Sequence, residues 1–232
     1  MTTLEQLEKK HNYTYPELYK TLFDAQMLDW TRGFELPLPE GKTWSDDIYP
    51  TLKANPPLLL HSGGSDFELL TAEKVLHFEF PKEWDTQHHF IPFAKDAEGN
   101  IYAFYNNIEV EGENPIILIW DDDEVEYIAK NFEDFIFRKM LESADAIDKD
   151  DLYADYGKEN PMELYRTDLK ADLESIRPYL KDTYVSILEE TYNGEVLETL
   201  IAYGFKYHKP VKDIIKEMLD FELMGEVFDH DR

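Results

Sequence analysis

Residues 121–124, Asp-Asp-Asp-Glu, stand between the apolar run "PIILIW" and the segment "VEYIA". Four adjacent carboxylates invite a hard cation such as calcium, which needs several oxygens brought to one point by a loop. Successive side chains of an extended strand point to opposite faces, so a strand does not converge them. The stretch also lacks the alternating acids and the glycine of a calcium loop, and "DKDDLYADYG" further on fails at the fifth and sixth loop positions. A polar turn joining two strands accounts for the acids better, with Asn131 capping a following helix and Asp134 favoured in its first turn. The rival is one helix from Asp123, with Glu126 completing a cap and Val125, Ile128, Phe132 and Phe135 on one face. Under either reading the acids face solvent, and what they offer is attraction for a basic surface.

The other candidates for chemistry are weaker. His88 and His89 are adjacent and would point oppositely on a strand, which makes them poor joint zinc ligands. His61 beside "SGGS" suggests nucleophile chemistry, yet no G-x-S-x-G elbow is present and a loop explains the stretch. There is neither a G-x-x-x-x-G-K-[ST] nor a G-x-G-x-x-G phosphate loop. Paired carboxylates for glycoside hydrolysis are plentiful, but no spacing singles out a pair. Trp30, Trp44, Trp84 and Trp120 read as core or core-edge residues rather than stacking platforms for bases. The expectation is a protein without catalytic residues, cofactor or resident metal.

The elements that must position these residues change type along the chain. Leu4 and Leu7, then Tyr15, Leu18, Tyr19, Leu22 and Phe23, fall at helical spacing, with Thr14 placed to cap a helix whose first turn holds Pro16. From Trp30 to Asp66 proline and glycine break every pattern. "KVLHFEF", "HHFIPFAKD", "NIYAFYNN", "PIILIW" and "VEYIA" are short, aromatic or β-branched, and predict strands of a mostly antiparallel sheet. After "NFEDFIFRKML" helical spacing returns. Leu169, Leu173, Ile176 and Leu180 share a face that Pro178 interrupts, then Leu197, Leu200 and Ile201, then Val211, Ile214, Ile215 and Met218. The fold class expected is α+β: a mostly antiparallel sheet with N-terminal and flanking helices, plus an α-helical C-terminal extension.

Bulk composition narrows the function. The 232 residues carry 50 acidic against 23 basic side chains, a formal net charge of -27, and no cysteine. Thiol nucleophiles, thiolate zinc sites, iron–sulfur clusters and disulfides are thereby excluded. Such acidity repels nucleic acid and anionic lipid and draws basic partners over a Debye length, about 8 Å at physiological salt. No apolar run approaches the roughly 18 residues of a membrane span, and the charged start "MTTLEQLEKKHN" is unlike a signal peptide. A soluble, cytoplasmic protein is expected, binding neither nucleic acid nor membrane. Nothing in the sequence fixes its oligomeric state.

The order of these pieces resembles the SUKH superfamily, which includes the fungal Smi/Knr cell-wall regulators and many bacterial immunity proteins. The resemblance runs from an N-terminal helix containing "YPELYKTLF", through "FIPFAKDAEGNIYAFYNN" and "IILIW" followed by acids, to "VEYIAKNFEDFIFRKML", roughly residues 5 to 142. Pro92, Phe93, Ala94, Gly99, Tyr102, Trp120, Ala129, Phe132 and Phe135 match the family's motifs. Asn100 stands where the family usually has aspartate after glycine, Asn106 or Asn107 where a second aspartate is common, and Asn131 where it has a serine cap. The resemblance implies a domain over 1–143, an extension over 144–232, and a binding module that neutralises a toxin by direct association. A basic, nuclease-like toxin would meet the acidic surface, and the contact residues expected are Asp121, Asp122, Asp123 and Glu124, with Glu109, Glu111 and Glu113 in the preceding loop. A Smi/Knr-like scaffold for housekeeping or cell-wall-synthesis partners is the alternative.

Overall fold

The computed structural model describes residues 2–229 apart from 33, 35–37, 54, 64–66, 81–86, 122, 123 and 207. The fold is α+β, with a six-stranded antiparallel sheet, a small three-stranded sheet and helices before, between and after them. Packing groups the chain into two compact units, one of residues 1–30, 65–135 and 219–232, the other of 31–64 and 136–218. The expected division at 143–144 follows the extent of the sequence resemblance; packing follows these other lines.

The first unit is built on β1 (Glu68–Leu69), β2 (Phe90–Lys95), β3 (Ile101–Tyr105), β4 (Ile116–Ile119) and β5 (Glu124–Ala129), which neighbour one another in that order, with β9 (Val227–Asp229) added beyond β5. Strands β4 and β5 therefore pair as the hairpin expected from the sequence, Ile119 facing Val125 and Ile117 facing Tyr127 across it. The strands are buried on both faces, which explains why they read as continuous apolar runs. On one face Phe93 and Phe104 pack with Tyr15 and Tyr19 of the N-terminal segment and with Phe132 and Phe135. Truncating any of these fully buried phenylalanines removes about 3–5 kcal/mol. On the other face Phe90, Tyr105, Ile117, Val125 and Tyr127 are covered by Phe80 and by Phe221, Leu223 and Phe228 of the chain's last segment.

Helices α1 (Thr3–His11) and α2 (Glu17–Asp24) confirm the N-terminal periodicity. Thr14 does not cap α2, however. Pro16 takes the cap position without a side-chain bond, and the nearby Tyr15 amide donates instead to Glu8 of α1, at 3.2 Å. "KVLHFEF" is likewise no strand: α4 (Ala72–His77) occupies its first part. Thr71 accepts from the Lys74 amide, and Lys10, 65 residues or more away, donates to the carbonyls of Val75, Leu76 and Phe78. A tertiary contact thus satisfies the helix end that local β propensity argued against.

The second unit holds a five-residue π-helical turn (Trp44–Ile48), α3 (Tyr49–Leu52), α6 (Lys149–Tyr156), α7 (Pro161–Ile176), α8 (Asp182–Tyr192) and most of α9 (Val211–Leu219), with β6 (Ile147–Asp148), β7 (Glu195–Glu198) and β8 (Ala202–Lys206). Helix α5 (Phe132–Glu142) begins in the first unit and continues in the second, where Phe137 stacks on Tyr184 at 3.9 Å and Met140 O accepts from the Tyr192 hydroxyl. Leu169, Leu173 and Ile176 are buried along α7, which ends where Pro178 opens a 3-10 turn. The helix expected through Leu197, Leu200 and Ile201 is instead the β7–β8 hairpin. Gly194 opens that hairpin with the chains so close that a Cβ would meet Lys206 O at 2.5 Å. Arg166 donates to the carbonyls of Tyr192 and Gly194 there, so the turn is fixed from α7.

Candidate partner-binding face

Two hydrogen-bonded turns set the acidic end of the large sheet. Asp96 closes the β2–β3 turn, its carboxylate accepting from the amides of Glu98 and Asn100 and from Asn100 Nδ2 at 2.7 Å. Gly99 has φ +97, a left-handed conformation that a side chain would strain. Asn100, only 2% exposed, then accepts from the Asp121 amide at 3.1 Å. One side chain thereby joins the β2–β3 turn to the β4–β5 turn. Across the latter, Trp120 N donates to Glu124 O, and Glu124 faces Asp229 of β9. Asp121, Glu124 and Glu98 are exposed, so this end of the sheet presents carboxylates to solvent. Asp122 and Asp123 lie outside the described residues.

Glu109, Glu111 and Glu113 are exposed as well, but they precede β4 while Asp121 and Glu124 follow it. An extended stretch from Glu113 to Asp121 spans roughly 25 Å at about 3.3 Å per residue. The two groups of acids therefore sit at opposite ends of the strand. At the Glu109 end a tight turn is closed by paired bonds between Val110 and Glu113, and Lys130 lies 3.0 Å from Glu111 and 3.9 Å from Asp134. That lysine offsets part of the negative charge there. Asn131 caps α5 as expected, accepting from the Asp134 amide at 2.8 Å.

These turns, strand β4 followed by Trp120 and the acids, and the capped helix with Phe132 and Phe135 buried make one arrangement, and residues 2–138, more than half of the chain, match the SMI1 / KNR4 family (SUKH-1). The chain belongs to that family. A search of curated proteins and one of solved structures give no match. Within the SUKH-1 part, Asn100 keeps both turns joined, because its amide group donates to Asp96 while its oxygen accepts from the Asp121 amide. Among the described residues no helix is long and apolar enough to cross a membrane, and no group of three histidine, aspartate or glutamate side chains is arranged to hold a metal ion.

The two adjacent histidines take separate partners: His88 Nδ1 lies 2.8 Å from the Tyr105 hydroxyl and His89 Nδ1 3.0 Å from Asn106 Nδ2. His61 has a setting that the sequence did not reveal. It sits in a buried turn of the second unit where Asp172 Oδ2 accepts from the His61 and Ser62 amides and the Ser62 hydroxyl, at 2.9, 2.7 and 2.6 Å. Asp168 accepts from Tyr156 at 3.0 Å and pairs with Lys53 at 3.1 Å. Burial pushes the Asp172 carboxyl up to about 7 against the pull of those donors, with Asp168 adding repulsion. Burial pushes His61 down to about 4, Asp168 opposing and Lys53 adding to the shift. The Ser62 hydroxyl donates its hydrogen bond to Asp172 Oδ2 and not to His61. This bond serves to tie the turn at residues 61–62 to α7.

Proposed function

We propose that the chain is a non-catalytic, cytoplasmic immunity protein that binds and neutralises a cognate toxin with a basic, nuclease-like domain. Membership of the SUKH-1 family carries this reading, since the family resemblance implies direct association with a partner rather than chemistry. The exposure of Asp121, Glu124, Glu109, Glu111 and Glu113 supports it, with Asp121, Asp122, Asp123 and Glu124 proposed as the contact set and Glu109, Glu111 and Glu113 as a second, more distant set. Complementary charge would speed encounter, while buried apolar contacts would supply most of the affinity. The division into a family domain, 1–143, and an extension, 144–232, belongs to the same reading.

The resemblance to the Smi/Knr proteins implies a second reading, a regulatory scaffold for housekeeping or cell-wall-synthesis partners. One experiment separates the two. The tagged chain is captured from the cells that produce it and washed at about 0.1 and about 0.5 M salt, where screening differs strongly. The immunity reading expects one basic protein in stoichiometric amount, released faster at high salt, that stops growth when expressed alone and loses that effect beside this chain. Recovery of a harmless cell-envelope or signalling protein would favour the scaffold.

A further inference from the structure

The β7–β8 hairpin ends in an apolar tip that neither the turn nor the core accounts for. Thr199 and Ala202 close the turn, with Thr199 N donating to Ala202 O at 2.8 Å, the Thr199 hydroxyl donating to the same oxygen, and Ala202 N donating back to Thr199 Oγ1. The two central residues are Leu200, 93% exposed, and Ile201, 71% exposed. Leu197, on the same hairpin and opposite Gly204, is 48% exposed. Central positions of two-residue hairpin turns ordinarily take glycine, asparagine or aspartate. Single exposed apolar residues need no explanation, but Leu200 and Ile201 side by side at the tip of one pinned turn, with Leu197 on the strand that leads into it, leave large apolar side chains in water.

The surroundings of the tip are acidic. Asp148 of β6 faces Ala202, and the amide of Lys149 donates to Ile201 O at 3.1 Å, so the start of α6 lies against the turn. Asp148, Asp150 and Asp151 are exposed there, and Glu198 leads into the turn. The four acids outnumber the two lysines at this place. Lys149 is held by Glu198 at 2.6 Å and lies over the Tyr203 ring, and Lys158 lies over the Tyr153 ring.

From the pinned apolar tip and its acidic surroundings we infer that the β7–β8 hairpin is a docking knob for a protein that offers an apolar pocket rimmed by lysine and arginine. Because Thr199 fixes the turn, little conformational freedom is lost when the knob is seated. Charge of the opposite sign around the pocket would guide the approach, and Leu200 and Ile201 would act as the anchors. The knob lies outside residues 2–138, so it is a feature of this chain's second unit rather than of the matched family region. It does not depend on whether the partner is a toxin.

The test places p-benzoylphenylalanine at position 200 of the full chain, and at the exposed position 183 of α8 as a control, and irradiates the cells that produce the protein. The expected result is one crosslinked protein of net positive charge, joined from position 200 and not from 183. Its purified form should bind the Leu200→Ser, Ile201→Ser double variant about tenfold or more weakly than the unaltered chain. With both side chains already in solvent, the melting temperature should stay unchanged. Crosslinking only to a second copy of the chain, to an acidic protein, to lipid or to nothing overturns the inference, as does binding by the double variant within about twofold of the original.

Discussion

Asn100 is the residue on which the acidic end of the sheet turns. Its amide group donates to Asp96 Oδ2 at 2.7 Å and its oxygen accepts from the Asp121 amide, so an aspartate there would set two carboxylates at hydrogen-bond distance in a buried place. Asn100→Asp should destabilise the protein by about 1–3 kcal/mol at pH 7, and by less at pH 4, where the new carboxyl is protonated and donates again. Urea unfolding of both forms at both pH values checks this; an equal loss at the two would contradict it. In the second unit, Asp172 and His61 make opposite contributions to stability as pH changes. A carboxyl raised to about 7 contributes stability that is present below its ordinary value and lost as pH rises through about 7. A histidine lowered to about 4 contributes stability that is present above about 6.5 and lost as pH falls through about 4. Asp172→Asn keeps the accepting oxygen and removes only the first effect. The variant's deficit against the original chain should therefore shrink from pH 5 to pH 8 in paired urea titrations. A deficit that grows would mean that Asp172 is held ionised by its three donors.

At the scale of elements, α5 begins where one side chain stops an orphan amide. Asn131 accepts from the Asp134 amide at 2.8 Å, and Asn131→Ala should cost about 1 kcal/mol, read as a lower urea midpoint. Asn131→Ser should recover most of that loss, and a loss under about 0.3 kcal/mol would show that the cap is not what starts the helix. This cap and strands β2 to β5 were legible in the sequence, because the strands are aromatic or β-branched, are separated by turn residues, and pair with their neighbours in the chain. Where the sequence misled, a distant group decided. "KVLHFEF" has β propensity, but Lys10 caps the carbonyls at the end of α4. Leu197, Leu200 and Ile201 have helical spacing, but Gly194 and Arg166 fix a hairpin before them. β9 was invisible because three residues, pairing with a strand some 100 positions earlier, carry no local signal. Asp121, Glu124, Glu109, Glu111 and Glu113 were legible as exposed acids of turns. Their separation to the two ends of β4 follows from strand direction, which composition does not encode, and the Asp172–Ser62 bond joins residues 110 positions apart.

Over the whole molecule, a formal charge of -27 creates a field that reaches roughly a Debye length beyond the surface, about 8 Å at physiological salt. That field acts on rates of encounter more than on the lifetime of a complex, so its signature is kinetic. Under the proposed function the chain binds a basic protein through the acids that follow β4. The measurement that tests it most directly is the association rate of the captured partner, by stopped flow from about 0.05 to about 0.5 M salt. It compares the original chain with a variant carrying Asp121→Asn, Asp122→Ser, Asp123→Asn and Glu124→Ser. Association should be about tenfold slower for the variant at low salt, with a shallower dependence on salt and a melting temperature nearly unchanged. Equal rates and equal salt slopes for the two proteins would contradict it and place the binding face elsewhere.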